Sequence, residues 1–166
     1  MSWVTEIKEN AHYRIAESRR MLDICLRHID DQQLWERPNQ HSNSVGNQLL
    51  HIRGNMMQYI WTTLGGNPDI RQRNQEFEAS KGTRSDLWQA LEESLDQCMA
   101  VIEASTADQL LKVYPVQAFQ LSGIGLIIHA VEHLSYHTGQ VAFWVKSRTD
   151  KPLGFYEGVD LNQKHQ

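Results

Sequence analysis

Cysteine is scarce in this chain. Cys25 and Cys98 are the two in 166 residues, and they fall in different helical patterns with no metal-type spacing between them. That excludes a disulfide framework and a thiolate metal site, and predicts two buried, inert thiols in a reducing cytosol. Long apolar runs are absent too. None reaches the roughly 18–20 residues that span a bilayer. The opening MSWVTEIKENAHYRIAESRR has no apolar core and mixes acidic with basic residues, so no secretory signal is expected. The expected compartment is the cytoplasm, with no membrane partner. A basic excess is also missing. Sixteen Lys and Arg face twenty Asp and Glu, a net charge of −4, and no basic stripe carries interleaved aromatics, which argues against a nucleic-acid partner. Internal repeats, long heptad runs and low-complexity stretches are absent, and no long segment alternates with period two.

What is present is a 3.6-residue period in four long segments. With 40% hydrophobic and 22% charged residues, the composition is that of a globular protein and not a disordered one. The length fits one domain over 1–166, with a core from about 5 to 148 and a tail from 149 to 166. In the first segment Trp3, Ile7, Ala11, Ile15, Ser18, Leu22, Cys25 and Ile29 form one stripe that stops before Pro38. The second carries Val45, Leu49, Ile52, Met56 and Ile60, with Asn43 or Ser44 as its cap and Gly65-Gly66 at its end. The third opens with Thr83-x-x-Asp86, the pattern of a capping box, and continues through Leu87, Leu91, Leu95, Cys98 and Ile102. The fourth runs from about Ser122 to about Arg148. These segments predict an all-α four-helix bundle with a long polar connection between helices 2 and 3, Gly65 to Gly82. The link from about Ala107 to Leu121 has room for a short extended piece or hairpin arm. The tail, with Phe155 and Tyr156, is expected to pack on the bundle or on a partner subunit.

Three histidines, His129, His133 and His137, stand four residues apart in the fourth segment. An i, i+4 step keeps side chains on one helical face, about 6 Å apart along the axis. His129 and His137 are then about 12 Å apart, too far to share one ion. Either His129/His133 or His133/His137 can supply two ligands, the spacing used on zinc-protease helices. His51, in the apolar second segment, is the candidate third. His12, His28, His41 and His165 read as surface or terminal residues. Glu-x-x-His occurs once, Glu9 to His12, whereas a di-iron bundle needs two such motifs and further carboxylates.

The strings SNSVGNQLLHIRGN, with His51, and HLSYHTGQ, with His133 and His137, resemble those of the DinB superfamily, the DinB/YfiT-like metal-dependent four-helix-bundle proteins. The resemblance runs from about residue 5 to 148. It implies a divalent metal on His51, His133 and His137, which selects the second pair and leaves His129 one turn away, beside the ligands or at the pocket mouth. Imidazole ligation suits Zn or Ni first, with Fe, Mn or Co as alternatives. The resemblance also implies a homodimer and thiol-dependent transfer, related isomerisation or metal-dependent hydrolysis.

Three neutral imidazoles leave the ion its full charge, suited to acidifying water or a small thiol. The resemblance implies a low-molecular-weight thiol as the cosubstrate, which that charge would suit, and a small molecule as the substrate. Asn55, Tyr136 and Gln140 lie within about a turn of a ligand and are candidates to orient it or line the pocket, as is Asn47. Glu132 points about 100° away from His133 and is expected in solvent. Gly139 marks either close helix approach or access to the ion. Arg71, Arg73 and Glu76 in the long connection either cover the pocket or form a solvated loop, and the solvated loop is the expected reading. With no strong general base or nucleophile of its own, the chain reads as a metal-dependent transferase or hydrolase. The alternative is a non-catalytic metal- or ligand-binding stress-response protein.

Overall fold

The computed structural model describes residues 2–164. Four long helices form the bundle: α1 (Trp3–Leu26), α3 (Val45–Met56) with its continuation, α5 (Arg84–Ala104) and α7 (Gly123–Thr149). Short elements join them: α2 (Asp31–Trp35), α4 (Arg73–Glu78), α6 (Ala107–Leu111), β1 (Val113–Val116) and β2 (Phe119–Ser122). Helix α7 packs on α1 and α3, and α3 packs on α5. His165 lies outside the described residues.

The expected stripes are the core. Ala11, Ile15, Leu22 and Cys25 of α1, Val45, Leu49, Ile52 and Met56 of α3, and Leu91, Leu95, Cys98 and Ile102 of α5 are all buried. Each large aliphatic among them contributes roughly 1.5–3 kcal/mol by leaving water. The stripe overreaches at one point: Trp3, in the first turn of α1, is 45% exposed.

Helix starts follow local chemistry. Ser44, not Asn43, caps α3, in a reciprocal box with Asn47. Thr83 caps α5 by accepting from the Asp86 N–H. Beyond Met56 the second helix widens into a π-helical stretch, Met57–Leu64, closed by the Gly65 N–H donating to the Ile60 carbonyl at 2.9 Å. The wider turn keeps both Tyr59 and Ile60 buried. Apolar spacing alone does not distinguish such a stretch from an α-helix.

The long connection is not open loop. Its second half is α4, which lies against α3. Asn47 secures it by donating to the Glu76 and Ala79 carbonyls, both at 2.9 Å. The expected extended piece is an antiparallel hairpin pairing Val113 with Ser122 and Val116 with Phe119. Its turn uses Gln117 at φ 51°, a left-handed position without the usual glycine or asparagine signal. The tail packs on the bundle: Leu153 is buried, and Arg20 donates to the Phe155 carbonyl at 2.9 Å. No helix among the described residues is long and apolar enough to cross a membrane.

Candidate metal centre

Packing of α3 against α7 brings three imidazoles together. His51 Nε2 and His133 Nε2 are 3.0 Å apart. The ring centres of His51 and His137 are 4.9 Å apart, and those of His133 and His137 4.4 Å. One nitrogen from each of the three lies within 4.8 Å of the others. On a tetrahedral ion with bonds of about 2.0–2.1 Å, two ligand nitrogens stand roughly 3.3 Å apart, so small side-chain rotations suffice to close the set.

The neighbours fix two of the three tautomers. Glu76 Oε2 stands 2.9 Å from His51 Nδ1. An ionised carboxylate only accepts, so Nδ1 carries the proton and Nε2 keeps its lone pair. Gln140 Oε1 accepts from His137 Nδ1 at 3.0 Å with the same result. His133 Nδ1 is buried without a partner. The 3.0 Å between His51 Nε2 and His133 Nε2 is bridged either by a proton, with His133 Nε2–H donating to His51, or by a cation that takes the proton's place. The donor set therefore fits a divalent ion.

Glu76 is itself clamped. Arg71 donates to its two carboxylate oxygens, at 2.7 and 2.8 Å, with the Arg71 side chain 5% exposed. Burial raises the Glu76 carboxyl, but the hydrogen bonds from Arg71 and His51 and the Arg71 charge outweigh it and hold the group below the ordinary carboxylate range. Glu76 is thus an anion that orients His51. The sequence reading of Arg71 and Glu76 as solvated loop is corrected here: α4 carries Glu76 into the bundle beside His51. Arg73 does stay at the surface, its guanidinium over the Phe77 ring at 4.9 Å. Phe77 in turn lies 5.0 Å from the His51 ring.

The other candidates separate. Gln140 supports His137, as expected. Tyr136 is exposed, with its ring edge-on to His137 at 5.0 Å. His129 stays outside the group, stacked on Tyr59 at 4.0 Å and 3.3 Å from Asn55 Nδ2. Asn55 therefore touches His129. Asn47 holds α4 and not a ring. Glu132 is exposed. Gly139 serves no close approach, since a Cβ there would meet nothing within 4 Å.

A family model described as a protein of unknown function, DUF1572, matches residues 2–153. The chain belongs to the DUF1572 family. No curated protein matches it. Among solved structures, a DinB-like protein from Bacillus subtilis, YjoA, superposes with a TM-score of 0.63 at 17% identity, covering 86% of this chain and 91% of that one. A DinB-like protein from Bacillus cereus gives 0.68 at 12% identity, covering 86% and 90%. The DUF1572 fold seen here is thus the DinB-like helical bundle that the sequence resemblance implied.

Burial, reinforced by the charges of neighbouring imidazoles, pushes His133 down to about 3 and His137 down to about 4. In the unfolded chain both take up protons near pH 6.5. Between these limits the unfolded state of the metal-free protein binds more protons, so stability falls as pH drops from about 6.5 toward 4. Each histidine contributes a slope of up to about 1.4 kcal/mol per pH unit in that window. Urea midpoints of the metal-free protein should show this fall, and His133→Phe should flatten it. An unchanged profile in the variant would contradict the assignment of a buried, neutral His133.

Proposed function

We propose that His51, His133 and His137 hold one divalent ion, Zn or Ni first and Fe, Mn or Co otherwise, in a metal-dependent transferase or hydrolase. The observation carrying this reading is the convergence of the three rings with two distal N–H groups already engaged by Glu76 and Gln140. The ion would supply Lewis acidity, lowering the proton affinity of a small thiol or of water.

The chain's own residues do the rest. Glu76 and Gln140 aim two imidazoles by holding their Nδ1–H groups, which turns Nε2 of each toward the ion. Burial excludes protons from His133 and His137. Cys25 and Cys98 supply no nucleophile, because burial pushes both thiols up to about 12. Glu76 is engaged by Arg71 and His51 and is no free base. The nucleophile must therefore come from outside, which favours a low-molecular-weight thiol cosubstrate over self-contained hydrolysis. The same lack of a free base gives some support to the alternative, binding without turnover. Two buried free thiols suit the cytoplasm. The groove between α1 and α7, with exposed Tyr13 and Ile128, supports a homodimer.

The test is elemental analysis of untagged protein, followed by turnover of a panel of small electrophiles with and without thiol. About one equivalent of metal, and a thiol-dependent rate abolished by chelation, are expected. Metal without any turnover would leave the binding reading. No metal even after incubation with Zn or Ni would overturn both.

A further inference from the structure

The clamp on Glu76 does not end at Arg71. Two nitrogens of the guanidinium serve Glu76, and the third, Nη1, donates to Gln58 Oε1 at 2.9 Å. The Gln58 amide is oriented from its other end. Its Nε2 donates to Asp69 Oδ2 at 2.8 Å. A carboxylate only accepts, so Gln58 Oε1 is the atom left to face Arg71. Asp69 also fixes the Arg71 backbone, accepting from its N–H through Oδ1 at 3.0 Å.

Gln58 Oε1 has a second donor. Gln117 Nε2 reaches it at 2.8 Å across 59 residues. Gln117 stands in the turn of the β1–β2 hairpin, where its φ of 51° disfavours any residue with a Cβ. Turn geometry alone would call for glycine or asparagine. The glutamine side chain supplies contacts that neither of those can. Besides Gln58 it meets Tyr59, whose Oη stands 3.4 Å from Gln117 Oε1. Gln58 and Tyr59 are neighbours in the π-helical stretch, against which β1 lies. Such departures from α-helical geometry occur frequently at functional sites. The Tyr59 ring in turn stacks on His129, the next ring along α7 from His133.

We propose that Gln58 is a positioning residue of the metal centre and that the hairpin turn braces it. Hydrogen bonds run without a break from Gln117 through Gln58, Arg71 and Glu76 to His51 Nδ1. Without Gln58, Arg71 is free to swing about its bonds to Glu76, and Glu76 about the His51 ring. With Gln58 in place both are held, and supporting shells of this kind set ligand orientation. A hairpin that carries no ligand thereby tunes how well His51 faces an ion, which rests on the proposed ligation by His51.

The test compares full-length wild type with two variants. Gln58→Met keeps the bulk and loses both amide functions. Gln117→Gly removes the side chain at the turn and suits the left-handed backbone. Zinc affinity is read by competition with a chromophoric chelator, and metal-free stability by urea. The His51–Glu76 contact is read from the NMR resonance of the His51 Nδ1–H, assigned by its loss in His51→Ala. Gln58→Met should weaken zinc binding by roughly 2–10-fold, the worth of one hydrogen bond, and move the Nδ1–H resonance of the metal-free protein. Gln117→Gly should shift both in the same direction by less, with its urea midpoint held. The double variant should match Gln58→Met alone, because Gln117 acts through Gln58. Equal zinc affinity in wild type and both variants, with the resonance unmoved, would overturn the brace and leave the metal reading intact. Additive losses in the double variant, or zinc losses that merely track lowered urea midpoints, would overturn it in favour of a purely structural role. A wild type that holds no zinc would sink the metal reading and the brace with it.

Discussion

His133→Ala should leave a folded bundle that no longer holds metal. The ring of His133 lies 4.8 Å from His51 and 4.4 Å from His137, so its loss removes one of three mutually close donors. Without it two imidazoles remain, one on each helix, and a divalent ion loses a third of its protein ligands. The loss in zinc affinity should exceed the roughly 10–100-fold typical of a supporting residue. The metal-free fold should change little, because alanine also removes the buried Nδ1 that has no partner. His129→Ala is the matched control. It deletes the next ring along α7, but that ring is engaged with Tyr59 and Asn55, so zinc should stay. Competition with a chromophoric chelator measures both variants. Wild-type affinity in His133→Ala, or equal losses in the two variants, would refute the three-histidine assignment.

Gly54→Ala should destabilise the protein although alanine is the better helix former by about 1 kcal/mol. A Cβ at position 54 would sit 2.0 Å from Glu76 Oε1 and 2.9 Å from Arg71 Nε. The methyl is fixed to the α3 backbone, so the carboxylate must leave. Its departure strands a buried guanidinium and takes the acceptor from His51 Nδ1. Breaking a buried ion pair from one side destabilises by about 3–5 kcal/mol, which outweighs the gain in helix propensity. Zinc affinity should fall by roughly 10–100-fold as His51 loses its orienting partner. Urea unfolding and zinc competition on the one variant read both effects. A Gly54→Ala protein more stable than wild type, with unchanged zinc affinity, would show that Glu76 is not held where the packing places it.

The two outcomes bear on how the chain can be read. The bundle was legible because its signals are local: stripes on α1, α3 and α5, the hydroxyl caps Ser44 and Thr83, and the glycines that end the second helix. Histidine spacing found the ligand candidates, since a shared helical face depends on spacing alone. It left two adjacent pairs open, and the resemblance selected His133 and His137. Glu76 and Arg71 were not legible, because the burial of a charged residue depends on a partner distant in sequence. Glu76 meets His51 across 25 residues, and Arg71, five residues from Glu76, meets His51 across 20. One signal was available in Gly54, an interior helical glycine three residues after His51. Such a glycine often marks another group approaching the backbone closely. The π-helical stretch left no comparable trace, and the Gln117 turn lacks the residues that usually announce one.

The segment joining α3 to α5 carries the carboxylate that grips His51, and reciprocity follows from that attachment. Whatever an ion gains from a well-aimed His51, it returns as resistance of α4 to detachment, because both are one linked equilibrium. A protease directed at residues 66–82 would then act as a metal gauge, cutting quickly in chelator and slowly in zinc, in a stretch that supplies no ligand of its own.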